Sequence, residues 1–219
     1  MKKIISILFL LSSSFVFADV TTEVKQLQKE WAEIKYNTPE KEQEKKFEQL
    51  VKKAEGYITQ KPDDVDGLIW EGIIRSTYAG AKGGLGALAE AKRAKASFEQ
   101  ALKINPKALD GSAYTSLGSL YYQVPGWPLG FGDSDKAEEM LKKGLETNPD
   151  GIDPNYFYGD FLRTEGKYND ALAVLEKALH APSRPNREIA DQGRRKEVES
   201  AIVEVKQLIE QKKSKPGPF

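Results

Sequence analysis

His180 is the sole histidine of this 219-residue chain, and there is no cysteine. Thiol nucleophiles, Cys–His pairs and thiolate metal sites are therefore excluded from the start. No serine or aspartate is motif-linked to His180, and its place near the end of a helical stripe is that of a boundary residue, not a general base. The acidic segment Asp150-Gly-Ile-Asp-Pro-Asn155 has oxygen ligands for a hard cation, but it lacks the ligand spacing of an EF-hand loop. Asp153 before Pro154 instead suits a turn and a helix cap. Gly80, Gly83, Gly84 and Gly86 form no phosphate loop, since no Lys-Ser/Thr pair follows them; they suit a bend. These residues predict a chain with no catalytic site, no metal and no cofactor.

Contact chemistry is better represented. In Val124-Pro-Gly-Trp-Pro-Leu-Gly-Phe-Gly-Asp-Ser134, two prolines stiffen the backbone, three glycines permit tight turns, and Trp127 and Phe131 supply apolar anchors. Two roles compete for this loop: a lid that touches a ligand, and a plug that seals a gap between helices. With 33 basic and 33 acidic residues, and no basic block longer than Arg194-Arg195-Lys196, the charge pattern excludes general nucleic-acid binding.

The flanking segments set the context. Lys2 and Lys3, the apolar stretch Ile4 to Leu11 and the small residues ending at Ala18 predict a signal peptide over residues 1–18, cleaved before Asp19. No cysteine follows it to carry a lipid, and no later segment is long and apolar enough to span a membrane, so a periplasmic or secreted location is expected. Removing Lys2 and Lys3 leaves the mature chain slightly acidic.

Helical periodicity dominates the remainder. Residues 19–64 form an N-terminal helical segment, with Phe47, Leu50, Val51, Ala54 and Ile58 at the three-and-four spacing of a core-facing stripe. Asn37-Thr38-Pro39 interrupts it, with Thr38 as the expected N-cap of the second helix. Across residues 65–183, a helix with a small residue at a close crossing is followed three times by a second helix. The stripes are Gly72 with Ala94, Phe98 and Ala101; then Tyr114, Leu117, Gly118 and Tyr121 with Ala137, Leu141 and Gly144; then Tyr158, Gly159 and Leu162 with Gly166, Tyr168, Ala171, Leu175 and Ala178. Pro62, Pro106 and Pro149 recur at intervals of 44 and 43 residues, as duplicated helix pairs require.

On these residues the chain resembles the tetratricopeptide repeat superfamily. Gly159 precedes Ala171 by 12 positions, whereas the corresponding intervals are 22 in the first unit and 19 in the second, so those two units carry insertions. The resemblance implies an all-α fold: a tetratricopeptide-like helical hairpin solenoid with enlarged linkers and a C-terminal capping helix. Residues 184–211, with Ile189, Val198, Ile202, Val205 and Ile209, supply that helix over the final repeat, and 212–219 form a flexible tail. It also sets helix phase, which puts Thr115, Ser119 and Tyr122 of the second unit and Tyr156, Asp160 and Arg163 of the third on the inner face. With Trp127 and Phe131, these are the expected contacts for an unidentified cell-envelope protein or peptide, or for a small solute. A weaker resemblance, to the periplasmic helical-repeat component of tripartite solute transporters, would make the chain a solute-uptake accessory.

Overall fold

The computed structural model describes residues 20–214 of the chain. The predicted leader, its cleavage point and the last five residues lie outside the described residues. Within them, nine α-helices follow one another: α1 (Thr22–Asn37), α2 (Glu40–Gln60), α3 (Val65–Lys82), α4 (Gly84–Ile104), α5 (Ser112–Gln123), α6 (Ser134–Thr147), α7 (Ile152–Thr164), α8 (Tyr168–Leu179) and α9 (Glu188–Ser214). A short 3₁₀ turn, Ala108–Gly111, leads into α5.

Local chemistry accounts for many of the boundaries. The Thr21 hydroxyl accepts from the Val24 amide at 3.3 Å to start α1, and the Asp133 carboxylate accepts from the Lys136 amide at 3.0 Å to start α6. At the first break Pro39, not Thr38, occupies the N-cap of α2, and the Thr38 hydroxyl donates back to the Glu33 carbonyl at 3.3 Å. Thr38 therefore closes α1 and does not open α2.

Pairing rests on the same device in each of the three units. A side chain added at Gly72 would meet the Phe98 ring at 2.5 Å; at Gly118 it would meet Leu141 Cγ at 2.7 Å, and at Gly159 Leu175 Cγ at 2.7 Å. A small residue on the first helix thus receives a large one from the second, knob into hole. Phe98, Leu141 and Leu175 are fully buried. The two insertions are accommodated differently. In the first unit the extra residues lengthen α3 and α4, which leaves only Gly83 between them; Gly83 and Gly84 adopt φ of 63° and 58°, a left-handed bend that glycine adopts without a steric penalty. In the second unit they form the loop between α5 and α6.

The helices form two layers. Successive first helices, α1, α3, α5, α7 and α9, pack against one another, while α4, α6 and α8 make little mutual contact, so the stack curves with the first helices inside. The curvature brings α1 and α9 together. One core lies among α3 to α7, with Phe161 its α7 member, and a second among α7, α8 and α9, where Leu162, Leu175, Val198, Ile202 and Val205 meet. The third joins Trp31, Phe47, Leu50 and Trp70 of α1 to α3, and Ala190, at the start of α9, belongs to it. The expected capping helix is present: its second half covers the last repeat, and its first half reaches across the inside to α1. Helix α9 also continues through Ser214, so Lys212–Ser214 are helical and not part of a tail.

Candidate partner-binding site

A cleft of about 660 Å³ opens where α1, α7 and α9 converge. Tyr156, Asp160 and Arg163 of α7 face it, together with Lys35 and Tyr36 of α1 and one side of α9 from Ile189 to Glu204. The spacing of 156, 160 and 163 places these three side chains on one strip of α7. Arg163 is held in a fork: its Nε and Nη2 donate to Asp160 Oδ1 at 3.0 and 2.8 Å, and its Nη1 donates to Glu204 at 3.0 Å. Asp160 also accepts from the Tyr122 hydroxyl at 2.7 Å. Burial and this carboxylate push the Tyr122 phenol well above its ordinary pKa, so it remains a hydrogen-bond donor. Burial works against the charge on Arg163, but the bonds to Asp160 outweigh it and raise its pKa. The result is a set of charged and polar groups preorganised by one another.

Beside the cleft, Asp153 faces Arg194 and Arg184, at 2.8 and 2.6 Å. Burial opposes ionisation of Asp153, yet the two arginines more than offset it and hold the carboxyl below the usual range. Arg194 also bonds Glu197 at 2.6 Å and lies 4.4 Å from the centre of the Tyr156 ring, while Arg184 is paired with Asp191. Asp153 is therefore an ion-pairing residue in the first turn of α7, and its predicted role as a cap is not what the structure shows. Asn155 secures that turn, donating to the Pro149 and Gly151 carbonyls at 2.9 and 2.8 Å.

The other expected contacts are more scattered. Thr115 is buried against Gly144 of α6, and Ser119 is buried with its hydroxyl donating to the Ser116 carbonyl, so neither reaches the cleft. Phe131 packs edge-on against Tyr121 at 5.9 Å, with Lys95 Nζ 5.9 Å from its ring centre, and so fills the space between helices. Trp127 does the opposite: it is 90% exposed, as Leu129 is 74% exposed. The loop that carries them is nonetheless pinned. Gly132 N donates to Pro125 O at 3.0 Å, Gly130 N to Gly126 O at 3.1 Å, and Asp133 N to Tyr121 O at 2.9 Å. Just before it, Tyr122 bonds to Asp160 of the cleft, and at its other end the Ser134 hydroxyl lies 3.0 Å from Glu165 at the end of α7.

Sequence reasoning missed Tyr36, Arg184, Arg194 and Glu197. For Arg184, Arg194 and Glu197 the one local signal was the density of arginine and acid around Gly193, which reads equally well as a solvated helix face; Tyr36 had none. His180 sits at the end of α8 with Nδ1 2.8 Å from the Glu176 carbonyl, away from the cleft. Buried Glu71, partly buried Glu90 and exposed Glu55 pair with Arg75, and none of them lines the cleft. No group of three or more His, Cys, Asp or Glu suited to a metal ion occurs among the described residues, and no helix among them is long and apolar enough to cross a membrane.

Residues 85–108, spanning α4 and the turn after it, match the tetratricopeptide repeat family model. The fold is also similar to that of TTC0263, a thermophilic tetratricopeptide repeat protein of Thermus thermophilus, with a TM-score of 0.57 and 19% identity over 83% of this chain and 80% of that one. The chain has a tetratricopeptide-like fold, one stretch of which matches the family model. Two structures of MamA are similar over most of their length: one at TM-score 0.45 and 17% identity, covering 80% of this chain and 96% of MamA, and one of AMB-1 at 0.47 and 20%, covering 87% and 99%. A search of curated protein sequences returns no match. Within the repeat frame, Gly72, Gly118 and Gly159 are the small crossing residues, and the cleft lies at the inner-helix seam that α9 closes.

Proposed function

We propose that this repeat protein is an exported binding and scaffold module of the cell envelope that engages a protein or peptide through the α1–α7–α9 cleft and the adjoining Trp127 loop. The observation that carries this reading is the state of Trp127 and Leu129: two large apolar side chains held out in water by a hydrogen-bonded loop that follows Tyr122, itself bonded to Asp160 of the polar cleft. A loop already fixed loses little conformational entropy on docking, and an exposed tryptophan offers a large area to desolvate. Tyr156, Asp160 and Arg163 supply orienting hydrogen bonds at the neighbouring surface.

The test has two steps. Exported protein is first sequenced from its N-terminus, which should begin at Asp19; a product retaining Met1 rejects the leader. A partner captured from the native envelope is then titrated against purified parent and Trp127→Ala proteins. Loss of an aromatic anchor at a desolvated contact weakens binding by about 2 kcal/mol or more, or roughly 30-fold. Equal affinities would remove the loop from the interface.

A further inference from the structure

The two halves of α9 are held by different forces. From Val198 onward the helix buries Val198, Ala201, Ile202 and Val205 against Leu162, Ala171, Leu175 and Ala178 of α7 and α8, an apolar anchor. Before Val198, its contact with the N-terminal helices is small and largely polar. Ala190 enters the core beside Trp31 and Trp70, Gly193 lies flat against the Tyr36 ring, the Tyr36 hydroxyl donates to Glu197 at 3.3 Å, and Lys35 Nζ is 3.5 Å from Glu197. Ala190, Gly193 and the partly buried Ile189 bury far less apolar area than the second half does, and charged pairs of this kind contribute little net stability because desolvation offsets their attraction. The approach to this half is also poorly satisfied. Arg187 lies 4.8 Å from the Trp70 ring centre, yet its Nε is buried without a hydrogen-bond partner, and Asn186 adopts a left-handed φ of 59°.

We propose that the first half of α9 is a releasable latch across the inner face of the repeat stack, closed on α1 and opening while the second half stays anchored. When shut, it places Arg194 over Tyr156 and Asp153 and forms one side of the cleft. When open, it uncovers those α7 side chains and extends the cleft along the inner layer. The opening is thus an internal control on access to the inner face. Its role as a gate for a polypeptide rests on the function proposed above, but the motion itself does not.

Because the chain has no cysteine, one introduced thiol reports on one place. Ala190→Cys puts a small thiol in the latch seam, and Val198→Cys puts one in the anchor; both positions are buried. Modification by a small aromatic disulfide is followed in native buffer and across low denaturant concentrations. The latch predicts that the thiol of the Ala190→Cys protein reacts at least about tenfold faster than that of the Val198→Cys protein, that is, about 1.4 kcal/mol less protected, with a shallow denaturant dependence. Adding Tyr36→Phe and Glu197→Gln should speed the latch thiol further and leave the anchor thiol unchanged. Equal rates with the steep denaturant dependence of global unfolding would overturn the latch, whatever the partner is. Should either cysteine variant fail to fold, hydrogen exchange of the parent decides: amides of 188–197 protected as strongly as those of 199–209 overturn it, and weaker protection of the first group supports it.

Discussion

Gly118 and Gly159 each sit where a leucine from the partner helix occupies the space of a side chain, and at Gly118 the Leu141 backbone nitrogen is also only 3.0 Å away. Gly118→Leu and Gly159→Leu should each lose about 1 to 3 kcal/mol, the usual cost of overpacking, as lower urea midpoints at unchanged slope. At Asp153 the effect is electrostatic. Its pKa is lowered in the folded chain, so the unfolded state binds the proton more readily and stability rises with pH through that window. The contribution is complete above the unfolded value of about 4 and is lost as pH falls through the lower folded value. Asp153→Asn should flatten the acid limb of the stability profile. At neutral pH it should cost about 1 to 3 kcal/mol, because Arg184 and Arg194 lose a shared carboxylate that water only partly reaches. Urea midpoints measured from pH 3 to pH 7 report both effects.

At the scale of the element, the loop joining α5 to α6 carries two aromatics with opposite roles. Phe131 packs on Tyr121 and closes the inserted gap, whereas Trp127 touches solvent. Phe131→Ala should therefore lower stability by about 1 to 2 kcal/mol, short of the full loss at a completely buried phenylalanine. Trp127→Ala should stay within about 0.5 kcal/mol of the parent, as surface substitutions do. Differential scanning calorimetry of the two single variants separates the roles; equal destabilisation would mean that both are plugs. Filling the gap thus falls to Phe131, and the proposed partner contact to Trp127, within one loop.

For the whole molecule, the inner layer determines what is accessible. Because α1 meets α9, the first and last described helices share one seam, and the core around Trp31 and Trp70 is completed by Ala190 from the far end of the chain. Stopping the chain after Arg187 removes all of α9 and uncovers Leu162, Leu175 and their neighbours as well as the Trp70 side of that core. Such a truncation should aggregate or lose its sharp thermal transition, since repeat stacks expose an apolar end without a terminal helix. A monomeric product with the parent's melting temperature would show that α9 contributes nothing to the stack.

The helices themselves, the three-fold recurrence and the crossing glycines were legible in the sequence, because they depend on neighbours three, four and about forty residues apart, and apolar spacing encodes them directly. So was the inner strip Tyr156, Asp160 and Arg163, which follows from helix phase once the repeat is recognised. Thr115 and Ser119 share that phase, but α6 and the local packing cover them, and burial depends on what stands opposite a residue, not on its own periodicity. Inserted residues read as a linker before α4 became longer helices, since the alanine-rich run after Gly84 favours helix and only the Gly83–Gly84 bend was needed to reverse the chain. The pairing of Tyr36 with Gly193 and Glu197 spans more than 150 positions. It arises from the curvature accumulated over successive repeats, so only the tertiary structure brings these residues into one site.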